Sequence, residues 1–377
     1  MTSRERLYTV IFGKIPDHVP VAPDTSNMIP AKLTGKPFWD IYLYQDPPIW
    51  KAYIDCVKYF GFDSLMDGYA SIEFADLSPD PNPYERTAIV FKDDDRIVTQ
   101  AYNRANDHYQ WDKKVTVYYR DNPPSRVSPE AAHLPDEPRS FTDVEGVRKW
   151  PTGGELLAMV KSELGEHGLV GVSCGRSCLI GSEQEIYDYY DDPAPFYERR
   201  DKILEHSEKK FKKLISLPQP PDFICTGASG TLVFQTVEAF RQLGLPIVKQ
   251  MTRLAREAGL PSHIHSCGPE KELVKILAEE TDLTIVDPLE IPPMGDCDLR
   301  EIKRLYGHKL VLKGNLHTTN VMLRGTPDEV TEAAKRAIDD AAEGGGFILS
   351  TGDQCGRDTP FENIEALIKT AETYGRY

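Results

Sequence analysis

From about residue 168 to the C-terminus, short runs rich in β-branched and aliphatic residues alternate with longer amphipathic stretches. This is the pattern of repeated strand–helix units feeding a parallel sheet. Six runs predict strands, at 168–172, 223–225, 263–265, 283–286, 310–313 and 347–349. Two more, at 19–22 and 62–66, bring the number to eight. The stretches between them carry helix signals. Asp192-Pro193 opens one, Pro269 to Glu272 another, and Thr326-Pro327-Asp328-Glu329 sets a proline and acids in a first turn. Gly259, Gly307 and Gly344 stand where helices should stop. Eight strands with helical crossovers predict an α/β fold of the (β/α)8 TIM-barrel type, in which chemistry sits at the C-terminal strand ends. The expectation is one domain over residues 1–377.

One stretch breaks this rhythm. Between about 79 and 138 the chain carries strand-like runs at 88–98 and 114–119, with Asp-rich turns and Tyr102, Tyr109 and Trp111 between them. These read as antiparallel hairpins inserted over the barrel mouth.

The candidate chemistry lies at predicted strand ends. His265-Ser266-Cys267 places an imidazole and a sulfur two residues apart, hence on one side of an extended chain, and Cys355 ends another apolar run far downstream. Gly268 and Gly356 follow the two cysteines, where the backbone must turn sharply. One imidazole and two thiolates make a soft donor set suited to zinc, with a position left open for chemistry. Glu290, Asp287 and Asp353 are each placed to supply a further oxygen ligand, and Glu290 is expected as the fourth. Asp24, Asp67 and His317 are the candidate catalytic groups at these ends, His317 as a proton donor because an ordinary imidazole titrates near neutrality. Asn27, Tyr69 and Asn315 are candidate substrate contacts, joined by Tyr102 and Trp111 as flat surfaces for an aromatic ring. Cys174 and Cys178, separated by Gly-Arg-Ser, match no zinc spacing and read as core or loop thiols.

Composition narrows the partners. A net charge of −15 sets an acidic molecule against nucleic-acid phosphates and anionic lipid, so neither is expected. No apolar run approaches the ~20 residues of a membrane helix. Seven scattered cysteines, an odd number, fit a reducing cytoplasm better than a disulfide framework.

The segments His265-Ser266-Cys267-Gly268, Lys313-Gly314-Asn315-Leu316, 346–356 and 359–364 resemble the uroporphyrinogen decarboxylase superfamily, and more closely its zinc-dependent corrinoid methyltransferase branch. The resemblance covers most of the chain from His18 onward. It implies a (β/α)8 barrel, a zinc on His265, Cys267 and Cys355, and a methyl group moving between a small substrate and the cobalt of a corrinoid. The corrinoid would sit on a partner protein, since the chain has no Asp-x-His-x-x-Gly cobalamin-binding pattern of its own. Decarboxylases of the superfamily resemble one another in an Arg-rich segment after the first strand. Here residues 24–30 hold no arginine to meet a porphyrinogen's carboxylates, which counts against decarboxylation. The expected substrate is a methoxylated aromatic, demethylated at oxygen. Transfer from the corrinoid to a thiol, metal-free decarboxylation, and a zinc-stabilised binding protein without catalysis stand as alternatives.

Overall fold

The computed structural model describes residues 1–68, 72, 74, 76–77, 82–105, 108–134 and 141–377. Tyr69, a candidate substrate contact, lies outside the described residues. The strands run in chain order as β1 (Ser64–Met66), β2 (Glu85–Lys92), β3 (Arg96–Ala105), β4 (His108–Tyr119), β5 (Ser125–Val127), β6 (Thr142–Asp143), β7 (Gly168–Ser173), β8 (Phe223–Cys225), β9 (Ser262–His265), β10 (Ile285–Asp287), β11 (Val311–Leu316) and β12 (Phe347–Thr351). No helix among the described residues is long and apolar enough to cross a membrane. The chain forms two compact units. One comprises Met1–Asp24, Val57–Leu77 and Thr152–Tyr377, the other Thr25–Cys56 and Ser78–Pro151.

The first unit is built on a parallel sheet in the order β1-β7-β8-β9-β10-β11-β12. The predicted strand at 19–22 supplies the remaining stave as a single bridge from Val21 to Leu349 instead of a full ladder. Ala22 N donates to Leu349 O at 2.8 Å, and Asp63 N, just ahead of β1, donates to Val21 O at 2.8 Å. The sheet is thereby brought round on itself, as a (β/α)8 barrel requires. Where a strand was predicted at 283–286, the ladder starts two residues later at Ile285, and β11 and β12 run beyond their predicted ends to Leu316 and Thr351.

Period-two alternation then sorts the barrel interior. Ala22, Leu65, Leu169, Phe223, Ile285, Val311 and Ile348 pack into one buried cluster, and the helix Ser3–Ile11 inserts Leu7, Val10 and Ile11 into it. This apolar layer is the barrel floor. Two residues further along, the same face carries Asp24, Asp67, Cys225, Asp287, Lys313 and Ser350, with Gly171 at that height on β7. A floor of hydrocarbon beneath a mostly polar tier, four of its groups charged side chains, is what the sequence encodes by ending its apolar runs at matched heights.

The helix signals are realised at three predicted starts. Ala194–Ile215 begins after Pro193, Lys271–Glu280 after Glu270, and Pro327–Ala341 carries a capping box between Thr326 and Glu329. Gly259, at φ +72°, follows the helix Val237–Glu257.

The second unit holds an antiparallel sheet in the order β5-β4-β3-β2-β6. Its core is Val90, Val98, Val115, Val117 and Ala132. Tyr102 and Trp111, predicted to lie between the hairpin strands, are themselves paired residues of β3 and β4. Their rings lie 5.0 Å apart, with Tyr109 and Phe141 packed against both. Tyr102 is buried and its hydroxyl donates to Asp143 at 2.9 Å. Asn27 belongs to this unit too, its carbonyl accepting from the Tyr42 hydroxyl at 3.1 Å.

Candidate metal centre

β9 points His263 and His265 into the barrel, and β10 sets Asp287 beside them in register with His265. Asp287 is the hub. Its Oδ1 lies 2.8 Å from His263 Nε2 and 3.3 Å from His265 Nδ1, while Oδ2 pairs with the ammonium of Lys313. All of these groups are buried or nearly so. Burial disfavours the Asp287 carboxylate, yet Lys313, His263 and His265 outweigh it and hold its pKa well below the ordinary carboxylate value. Burial likewise opposes the charged ring of His263, but Asp287 and Asp67 raise its pKa to about 9. His265 is displaced upward in the same way, against its burial, by Asp287, Asp353 and Cys267.

With Nδ1 facing Asp287, the His265 ring presents Nε2 to the cavity. That nitrogen is buried and makes no hydrogen bond, and Asp353 Oδ1 stands 3.5 Å away. The ligand atoms of Asp24, His265 and Asp353 lie within 4.8 Å of one another, as do those of Cys267, Glu290 and Asp353. Asp353 is therefore shared between two adjoining groups, which together offer nitrogen, sulfur and oxygen donors. A third group, Asp67, Cys225 and His263, sits beside them.

Cys355, the third predicted ligand, enters none of these groups. It is fully buried, with its backbone N–H donating to Asp24 O at 2.8 Å. Burial and the neighbouring Asp24 push its thiol up to about 12, against the hydroxyls of Thr351 and Thr359. The structure thus gathers His265, Cys267, Glu290, Asp24 and Asp353 at the strand ends, with Cys355 tied to the same loop through Asp24.

The loop that carries Glu290 is held by a buried carboxylate. Glu270 is fully buried, and its Oε2 accepts from the backbone N–H of Leu289 at 2.7 Å and of Glu290 at 3.3 Å. Leu289 is thereby kept at φ +59°, a conformation β-carbon-bearing residues avoid, and Asp353 stands at φ +129°. Strained backbone at two donor-bearing loops of one cavity marks a place where geometry outranks local comfort. Glu290 Oε2 accepts from Gly268 N at 2.5 Å, which links the loop after β9 to that after β10. Burial raises the pKa of Glu290 despite that bond.

Beside this set, Glu290, Ile291, Met294, Asn315, His317, Thr318 and Gly352 line a small cleft. Asn315 is pinned by donating to Leu289 O at 2.9 Å. His317 Nδ1 accepts from the N–H groups of Thr319 and Asn320, both at 3.1 Å, which favours the ring proton on Nε2, 3.4 Å from Asn320 Nδ2. Cys174 and Cys178 are far from this chemistry in role. Their thiols donate to Ser207 O at 3.2 Å and Ile180 O at 3.0 Å, as loop and core thiols do.

The donor chemistry fits a divalent cation of borderline softness. An imidazole nitrogen with no hydrogen bond, a sulfur two residues on and three carboxylates converge where acids outnumber bases, and an outer carboxylate already orients the imidazole. His263, Asp287 and Lys313 as a linked set were not read from the sequence. The alternation His263-x-His265-x-Cys267 was the available signal for the first of them.

Residues 224–374 match the Uroporphyrinogen decarboxylase (URO-D) family. The chain is 25% identical over 146 residues to the methylated-thiol–coenzyme M methyltransferase of Methanosarcina mazei, spanning 38% of this chain and 35% of that protein. It is 26% identical over 139 residues to the methylcobamide:CoM methyltransferase MtbA of the same organism, spanning 36% of this chain and 37% of that one. The matched segment thus covers little more than a third of these relatives' length. A solved methyltransferase from Methanosarcina mazei superposes with a TM-score of 0.61 at 14% identity, over 99% of both chains, and shows the barrel fold to be shared. Family and relatives agree with the resemblance carried by the His265-to-Gly268 and 346–356 segments.

Proposed function

We propose that this protein is a corrinoid-dependent methyltransferase, moving a methyl group between a heteroatom of a small substrate and the cobalt of a corrinoid on a separate protein. The observation that carries the reading is His265 Nε2, buried and without a hydrogen bond among Asp353, Cys267 and Glu290 at the strand ends. The relatives named for methylcobamide and coenzyme M methyl transfer support the reaction type. The missing arginines at 24–30 weigh against a poly-carboxylate substrate.

In this reading His265 and Cys267 hold a zinc, with Cys355 and Glu290 as its further ligands. When bound, zinc supplies Lewis acidity, stabilising charge on a departing oxygen or keeping a sulfur as thiolate. The chain's own groups do the rest. Asp287 fixes the His265 ring. His317, its tautomer set by two backbone N–H groups, directs an Nε2–H donor to an oxygen that gains charge as the methyl leaves. Asn315 and Glu290 border the same cleft and orient the substrate.

The donor we propose is a methoxylated aromatic, and methylation of a thiol by the corrinoid is the same chemistry reversed. The test is a transfer assay with a corrinoid protein against methoxyaromatics, simple alcohols, methylamines and thiols, followed by absorbance at cobalt. Methylation of reduced cobalt by a methoxyaromatic is expected. Demethylation of methylcobalt by thiols alone would reverse the direction, and an unchanged cobalt spectrum throughout would end the proposal.

A further inference from the structure

The donor set uses His265 and leaves a second buried histidine without a task. His263 lies two residues earlier on the same face of β9 and is 3% exposed. Its Nε2 meets Asp287 Oδ1 at 2.8 Å, and its Nδ1 lies 3.2 Å from Asp67 Oδ2. The oxygen it meets is the one that stands 3.3 Å from His265 Nδ1, and Lys313 takes the other. A carboxylate gripped from two sides cannot rotate, and a carboxylate that cannot rotate fixes the ring it faces.

We propose that His263, backed by Asp67, is a positioning residue for the metal: with Lys313 it locks the Asp287 carboxylate, which in turn holds His265 Nδ1 and keeps Nε2 aimed at Asp353. The proposal rests on the zinc reading above. Without the His263 donor, Asp287 is free to follow Lys313 alone, and His265 is free to turn its outer nitrogen from the cavity.

The experiment is zinc affinity, measured by competition with a chromophoric chelator on the full chain, with circular dichroism as the check of folding. His263→Leu removes the donor and is expected to weaken zinc by about 10–100-fold, the usual effect of losing an outer partner of a ligating histidine. His263→Gln returns an N–H toward Asp287 and should recover most of that loss, a rescue that simple packing would not produce. Should the Leu variant fail to fold, Asp67→Asn carries the test, with a smaller loss in the same direction. Wild-type affinity in folded His263→Leu, or in Asp67→Asn where the Leu variant does not fold, would overturn the proposal while leaving the zinc reading intact. So would the disappearance of a second zinc equivalent in His263→Leu, which would make His263 a ligand. A wild-type chain that takes up no zinc sinks both.

Discussion

Cys355 and Glu290 stand differently toward the cavity, and that difference is measurable. Glu290 is already among the gathered donors, whereas the Cys355 thiol is fully buried, raised to about 12 by that burial, and outside the 4.8 Å groups. A cation repays such a thiol for losing its proton, since coordination favours the thiolate. Cys355→Ser should therefore weaken zinc by more than the ~10–100-fold expected of an outer partner, and Glu290→Gln by less than Cys355→Ser. Chelator competition on the two variants ranks them, and equal affinity of Cys355→Ser and wild type would remove Cys355 from the set. At this scale His265 and Cys267 were legible because an imidazole and a sulfur two residues apart at a strand end face the same side, where both can reach one ion. The linkage of His263, Asp287 and Lys313 was not, since the three lie on different strands, β9, β10 and β11. Only the register that sets Asp287 level with His265 reveals that they neutralise one another.

Elements were legible where local chemistry alone decides them. The helix Pro327–Ala341 begins as its sequence demands, with Thr326 Oγ1 accepting from Glu329 N at 3.3 Å and Glu329 Oε2 accepting from Thr326 N at 2.8 Å. Thr326→Ala removes that cap and should cost about 1 kcal/mol, read as a lowered urea midpoint with an unchanged slope. The strand at 19–22 was legible as extended chain but not as a single bridge, because its partners Leu349 and Asp63 are remote in sequence and its pairing depends on how the barrel meets itself. Tyr102, Tyr109 and Trp111 are expected between the strand-like runs 88–98 and 114–119. They extend the strands instead, because Tyr102 pairs with Trp111 across β3 and β4 and brings their rings to 5.0 Å at a tilt of 39°, a contact visible only across two strands.

Across the first unit, one ion cluster ties together segments that join the chain at very different points. Asp222, buried just ahead of β8, accepts from Arg4 of the helix Ser3–Ile11 at 2.6 and 3.1 Å, pairs with Lys161 of the helix Gly153–Leu164 at 2.9 Å, and accepts from Val170 N of β7 at 2.9 Å. Burial alone would raise its pKa, but Arg4, Val170 N–H and Lys161 prevail and lower it. The sign of the consequence follows from linkage. A carboxylate whose folded pKa is depressed gives stability that is fully present above the unfolded value of about 3.9 and is lost as pH falls through the folded one, because the unfolded chain binds the proton first. Wild-type stability should thus fall with decreasing pH below about 4, with Asp222 as one contributor. Asp222→Asn lacks that contribution at every pH, so it should be less stable at neutrality and show a shallower decline in acid. Urea unfolding at pH 7 and pH 3 measures both, and parallel declines in the two proteins would show that Asp222 is not what couples the barrel floor to the helices beneath it. The cluster lies at the opposite strand ends from His265, so the same variant should leave zinc affinity unchanged, separating what holds the barrel together from what it holds.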